Sequence, residues 1–480
     1  MRALIGVCLV VAVALWAGLA AAQDTEAIRK ELEQMRKQFE TMKEGYERSI
    51  NQLSERLKAL ETRPPEPAPA PATTSPAAPS PPAPAVAAQP QPSPPSGSVT
   101  INPTELARPR EPFALYERRG PGQMLFDMGI AGDFIGNLTQ RNVQKNAGGT
   151  FSGLENRFFP REIELSLFGQ VDPYARAEVR LEAGEESRDG DISVNLAEAY
   201  LELMTLPFGT QARMGQMRNR FGLTNATHEH DLPFIDRPNV YVQFFGQEGL
   251  IEKGVEATWV PPLPFFVEVL GGVFNGDNDV AFGRGSLQFP LVTGRVRTFF
   301  DWDEWGALQL GASIANGQTP DQLNSQIIGV DAKYKYRPEG WPHALFTLGG
   351  EFLYSIRQVL VTDPAAAVPV QQKRTREHDG WYAYGELQPF RVGALSRWAL
   401  GFRYDWTQYP TNPGREWAVQ PYLSFMPSEF LRFRLGYKHT DRSECCSYVG
   451  FQDNGGSAKS VDEWLLQATF ILGAHPAHPF

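Results

Sequence analysis

The sequence predicts an all-β chain: a transmembrane antiparallel β-barrel of about sixteen strands, preceded by a coiled-coil helix and a Pro-rich linker. Three observations carry that expectation. From about Gln123 to Leu472, short segments alternate apolar and polar residues, the two-residue period of strands with unlike faces. The connections between them alternate between tight turns and long loops. One loop, Asn219–Gly249, suspends the alternation for about thirty residues, far beyond an ordinary connection.

The first hundred residues are of other kinds. Met1 and Arg2 precede the apolar run Ala3–Leu19 and then Ala20, Ala21 and Ala22, so residues 1–22 read as a secretory signal with small residues at its cleavage site. Cys8 lies deep in the run and not at the cleavage point, which argues against a lipoprotein. In residues 23–63, Ile28, Leu32, Met35, Phe39, Met42, Tyr46, Ile50, Leu53, Leu57 and Leu60 recur at spacings of three and four. That narrow stripe is a coiled-coil seam, and self-association satisfies it, as a dimer or as a trimer. Residues 64–100 are almost wholly Pro, Ala, Ser, Gln and Thr, a disordered tether with nothing to bury. Residues 101–122 are transitional, and 123–480 form the barrel domain.

The 480-residue chain has a formal net charge of −10 and 42% hydrophobic residues. The acidity argues against a nucleic-acid partner. The modest hydrophobic fraction suits a barrel whose lipid-facing residues are diluted by polar lumen residues. Cys445 and Cys446 are adjacent and give no long-range staple; two loop thiols or a strained vicinal disulfide both remain open.

Individual strands show the pattern. In Ser396–Thr407, Trp398, Leu400, Phe402, Tyr404 and Trp406 share one face, and Arg403 and Asp405 share the other. Tight turns are expected at Gln170–Pro173, Thr205–Gly209, Pro261–Pro264, Asp301–Glu304, Arg337–Pro342, Arg391–Ser396 and Pro427–Glu429. Long loops are expected at Asn137–Phe158, Asn219–Gly249, Asn275–Gly285, Gln358–Asp379 and Asp441–Ser460, with Thr411–Gly414 a short exception. A soluble sandwich has no reason to sort its loops by end, whereas an outer-membrane barrel does. Trp259, Trp302, Tyr334, Tyr336, Trp406, Tyr409 and Trp464 fit aromatic girdles at the two interfaces.

With these segments in place, the chain resembles the family of phosphate-selective porins O and P and their relatives. The likeness covers about Gln123–Phe480 and rests on the opening strands (PREIELSLFGQVDPYARAEVRLEAG), the pair AEAYLELMTLPFGTQARMGQMRNRFG leading into the long loop, and the strand-rich C-terminus. It implies a sixteen-stranded, trimeric outer-membrane channel whose third outer loop folds inward as a constriction, here Asn219–Gly249. Phosphate selectivity does not transfer with it. The anion path of such channels is dense in Arg and Lys, whereas this loop sets Glu229, Asp231, Asp236 and Glu248 beside Arg220 and Arg237.

The expected constriction residues are therefore Arg220, His228, Glu229, His230, Asp231, Asp236 and Arg237. The expected lumen lining is Arg176, Arg180, Arg213, Arg295, Arg297, Lys333, Arg403, Arg432 and Arg434, facing Glu162, Glu164, Glu178, Glu198, Glu202, Glu256 and Glu351. Opposed basic and acidic walls make a wet path for small hydrophilic or ionic solutes, or they pair across strands and stiffen the wall.

His228 and His230 stand two apart, so in an extended segment both point to one side and can reach one zinc ion, with Asp231 or Glu229 nearby. The alternative is a pair of ordinary loop histidines and no cofactor. His475 and His478 form a second close pair in the tail. The segment HEHDLPFIDRP also resembles outer-membrane proteins linked by name to zinc-responsive uptake, but the helix and tether leave no room for the plug domain of an energy-driven receptor. An enzyme is not expected: a hydrolase would pair His228 or His439 with a serine, and no nucleophile-elbow motif is present. The expected partners are outer-membrane lipid, a homotrimer, small solutes, and the periplasm or peptidoglycan through the coiled coil.

Overall fold

The computed structural model describes residues 125–473, apart from short stretches at 141–142, 146–149, 186, 188–189, 342–343, 363–370, 390–396, 412, 445–450 and 454–455. The expected signal, coiled coil, linker and transitional segment lie outside the described residues, as do Cys445, Cys446, His475 and His478.

Sixteen strands close into one barrel, each antiparallel to its neighbours. They are β1 Leu125–Thr139, β2 Arg157–Asp172, β3 Ala175–Glu185, β4 Ile192–Leu206, β5 Thr210–Arg218, β6 Ile251–Trp259, β7 Phe266–Phe274 and β8 Leu291–Asp301, followed by β9 Ala307–Gln318, β10 Asn324–Tyr336, β11 Leu345–Thr362, β12 Gln371–Gln388, β13 Trp398–Gln408, β14 Gly414–Ser428, β15 Leu431–Glu444 and β16 Ser460–Gly473. The ring closes where β1 pairs with β16, from Gly129 opposite Gly473 to Thr139 opposite Glu463.

The faces are inverted relative to a water-soluble protein. On β13, Arg403 and Asp405 are fully buried while Leu400 is 58% and Phe402 49% exposed. On β8, Thr293 and Arg295 are buried while Val292 and Val296 are exposed. Large apolar side chains outside and charges inside suit lipid as the outer solvent. Among the described residues no helix is long and apolar enough to cross a membrane.

Two expectations are corrected. Gln358–Asp379 is not a loop for most of its length, because β11 and β12 stay paired up to Thr362 opposite Gln371. Strand ends that project past the lipid carry polar residues on both faces, so Lys373, Arg374, Arg376 and Glu377 conceal the alternation. Tyr409 is not a girdle residue: it is buried, and its hydroxyl donates to Glu416 at 3.0 Å. Trp259, Trp302 and Trp464 do face outward.

Candidate functional site

The loop Asn219–Gly249 leaves β5 and re-enters the sheet at β6 without pairing to any strand. Its first bend needs Gly222, at φ +64, because a Cβ there would stand 2.1 Å from the Tyr241 hydroxyl. It contains a 3-10 turn, Glu229–Asp231, and one short helix, α1 Asn239–Phe245, which starts after Pro238 and stops at Gly246.

The loop lies against the inner wall. Leu232, Phe234, Ile235, Val240, Tyr241, Phe244 and Phe245 are all buried. Phe234 meets Tyr382 and Tyr384 of β12 edge-on, and the Arg403 guanidinium sits 4.4 Å from its ring centre. The wall is cut away to receive it. A Cβ at Gly436 would stand 2.5 Å from Ile235, and one at Gly380 would stand 2.6 Å from Val240.

Three polar anchors fix the loop to different strands. On β2–β4, His228 Nδ1 lies 2.9 Å from Glu164 and 3.1 Å from Glu182, and its Nε2 lies 3.0 Å from Glu198. Next to it, His230 Nδ1 is 3.0 Å from Glu162 and Nε2 is 2.9 Å from Asp231. On β13–β15, the Asp236 carboxylate accepts from Arg403 at 2.8 Å, Gln420 at 2.8 Å and Lys438 at 2.6 Å. On β11 and β12, Glu351 accepts from the Thr224 amide at 2.9 Å and the Tyr241 hydroxyl at 2.6 Å, and from Tyr382 at 2.5 Å. Charged groups so deeply buried are tolerated only when paired this completely.

The loop's own ionisation follows from these partners. Burial alone would discharge His228, but the Glu164 charge and bonds to Glu162, Glu164 and Glu182 hold the ring protonated well above the usual histidine range. Burial is likewise overcome at His230, chiefly by Glu162 and Asp231, and its pKa rises to about 10. At Glu229 burial wins over the Arg161 and Arg237 guanidiniums and pushes the carboxyl up to about 7. Asp236 keeps its charge below the usual carboxylate range because Lys438 and Arg403 outweigh its burial.

One side of the loop borders an open vestibule of about 600 Å³. Its walls carry seven basic residues (Arg176, Arg213, Arg220, Arg295, Arg297, Lys333 and Lys335) and four acidic ones (Glu202, Asp231, Glu268 and Glu386). Several of the acids are neutralised in place: Glu202 lies 3.4 Å from Arg213 and also pairs with Arg176, and Glu268 pairs with Arg297.

The expected constriction residues thus divide. Arg220 and Asp231 line the vestibule, whereas His228, Glu229, His230, Asp236 and Arg237 are buried and serve as anchors or their neighbours. Buried charges and apolar side chains both hold the loop to the wall. Among the expected lumen residues, Arg176, Arg213, Arg295, Arg297, Lys333 and Glu202 line the vestibule. Arg180, Glu178 and Glu198 belong to the buried acidic nook on β3 and β4, where Arg180 lies 2.5 Å from Glu178. Arg403 holds Asp236, while Arg432 and Arg434 donate to the His230 and Phe234 carbonyls. Sequence reading did not single out Lys335, Glu268, Glu386 or Gln420, although strict alternation along β10, β7, β12 and β14 marks each as inward.

No family model matches the chain. An uncharacterized protein of Aquifex aeolicus (strain VF5) is 30% identical over 359 residues, which cover 66% of this chain and 69% of that protein. Similar solved structures include the outer membrane channel DcaP of Acinetobacter baumannii, with a TM-score of 0.49 and 12% identity over 75% of this chain and 100% of that one. They also include an anion-selective porin from Comamonas acidovorans, with a TM-score of 0.46 and 12% identity over 73% of this chain and 99% of that one. OprB of Pseudomonas putida has a TM-score of 0.43 and 11% identity, covering 73% and 95% of the two chains.

Proposed function

We propose that this chain, which belongs to one family with the Aquifex aeolicus protein, is an outer-membrane porin that lets small hydrophilic solutes diffuse passively through a lumen narrowed by Asn219–Gly249. The observation that carries this reading is the loop itself: it is braced on the inner wall of the barrel from three directions and borders an open, charged vestibule. A rigid loop inside a polar lumen sets the width of a path and leaves no energy-coupled movement to explain.

The vestibule also points to a preference. Seven basic side chains stand against four acidic ones in the vestibule and the Glu256 and Asp331 carboxylates that pair with Arg220 and Arg295, and the remaining basic excess favours small anions on the approach to the constriction. This supports the finer resemblance to phosphate-selective porins in charge sign. We read the assembly as a homotrimer and its role as transport and not hydrolysis.

Purified protein in a planar bilayer should give stepwise conductance without an energy source, with a reversal potential in a salt gradient that favours the anion. A bilayer that stays silent after proven insertion would remove the channel reading. Lipid turnover by the same preparation would replace it with an enzyme.

A further inference from the structure

We propose that the nook between the loop and strands β2–β3 is a binding site for a first-row divalent cation such as Zn²⁺, ligated by His228 Nδ1 and the carboxylates of Glu162, Glu164 and Glu182. These four residues come from three separate elements, and their ligand atoms all lie within 4.8 Å of one another. Donors about 2.1 Å from one tetrahedral ion stand about 3.4 Å apart; His228 Nδ1 already lies 2.9, 3.1 and 3.7 Å from the Glu164, Glu182 and Glu162 carboxylates, so side-chain shifts on the order of an ångström close the shell. The donor set is one imidazole nitrogen with three carboxylate oxygens. That mixture favours zinc or manganese over calcium, which takes oxygen alone.

Two further observations point to a cation at this place. The ring nitrogen that faces away from the carboxylate trio, Nε2, lies 3.0 Å from Glu198. A carboxylate on the outer nitrogen is the usual support for a metal-bound histidine, because it keeps the remaining proton on Nε2 when the ion displaces the one on Nδ1. Independently, Glu229 is 5% exposed and its Oε1 accepts no hydrogen bond. Its nearest cation there, Arg237 Nε, stands at 3.6 Å. Glu229 lines a cavity of about 170 Å³ together with Glu162 and Glu182, two of the four ligands. The carboxylates are flanked by cationic groups, Arg180 at 3.3 Å from Glu164, Arg218 at 3.4 Å from Glu182 and His230 at 3.0 Å from Glu162, which together with Glu198 balance the charge of three carboxylates and a divalent ion.

The assignment differs from the histidine pair that the sequence suggests. His230 is not among the converging ligands; it turns to Asp231 and shares Glu162 from the side. An ion here would tie the loop to two wall strands, so it would be a fastening of the constriction and not a cargo. The inference does not depend on conduction, and its test does not measure any.

The test uses the full chain in detergent, with His475→Ala and His478→Ala in every sample to remove the tail histidines, stripped by chelator and titrated calorimetrically with ZnCl₂. One zinc per folded chain is expected at micromolar or tighter affinity, with a rise in melting temperature and no comparable response to CaCl₂. His228→Gln and Glu164→Gln should abolish binding, and Glu198→Gln, removing only the support, should weaken it about 10- to 100-fold. Glu182→Gln changes the ligand nearest the surface, with 15% of its side chain exposed, and serves if the deeper variants fail to fold. No heat from zinc in a folded barrel overturns the proposal. So does zinc affinity unchanged in folded His228→Gln or Glu182→Gln, or calcium binding equal to zinc.

Discussion

The acidic nook on β2–β4 and the basic vestibule below the loop are built from the same kinds of residue on the same inner face, yet they do opposite things. In the nook, Glu162, Glu164, Glu198 and Arg180 are all buried and are spent on the loop and on one another. In the vestibule, Arg176 keeps half of its side chain exposed, at 51%, while it pairs with Glu202. The difference is where the loop lies. A charge covered by the loop loses its water and must be matched by protein groups, whereas a vestibule charge that stays exposed, as Arg176 does, acts on whatever enters; Arg295, buried against Asp331, behaves like the nook. Inward-facing charge in a barrel is therefore two populations, and only the second belongs to the path.

The largest way to break this contrast is to remove the cover. Deleting Thr227–Gln243 takes away the anchors on Glu164, Glu198 and Asp405 and returns the nook to water. Single-channel conductance should rise several-fold; an unchanged value in a folded barrel would place the loop outside the path. A single anchor makes the next test. Asp236→Ala leaves Lys438 buried without its carboxylate and Arg403 with Asp405 alone, a loss of about 3–5 kcal/mol for a broken buried pair. Thermal melts should show that destabilisation, and current traces should become noisier as the loop loosens. A melt within error of the parent would mean that the Phe234 contacts hold the loop unaided.

The smallest structural disturbance sharpens the other half of the comparison. Lys333→Glu with Lys335→Glu alters only vestibule residues and turns seven basic against four acidic groups into five against six. Melting should stay near the parent while the reversal potential moves toward cations. If Asp236→Ala moves the reversal potential and the lysine pair does not, the two populations have been assigned the wrong way round.

The barrel was legible from residues alone because its signal is local. Alternation such as Leu400, Arg403 and Asp405 on β13 needs no knowledge of the partner strand, and tight turns at one end count the strands. Where the lipid stops, that signal stops, which is why β11 and β12 run on through a stretch that reads as loop. Tyr409 shows the same limit: a tyrosine near a strand end suits a girdle equally well whether it faces lipid or, as here, Glu416.

Local pattern sets the period, the number of crossings, the inward set of charges and the one connection too long and too apolar to be a surface loop. The partners of those charges come from the closed fold. Asp236 meets Lys438 across more than two hundred positions of chain, and Thr224 meets Glu351 across more than a hundred. Neither separation leaves a trace in local spacing. The physical reason is that alternation depends on which side of a strand faces water, a property of one segment. Whether an inward charge is buried or hydrated depends on where a distant loop comes to rest, and that is set by the closed ring of strands and by the glycines, Gly380 and Gly436, that make room for it.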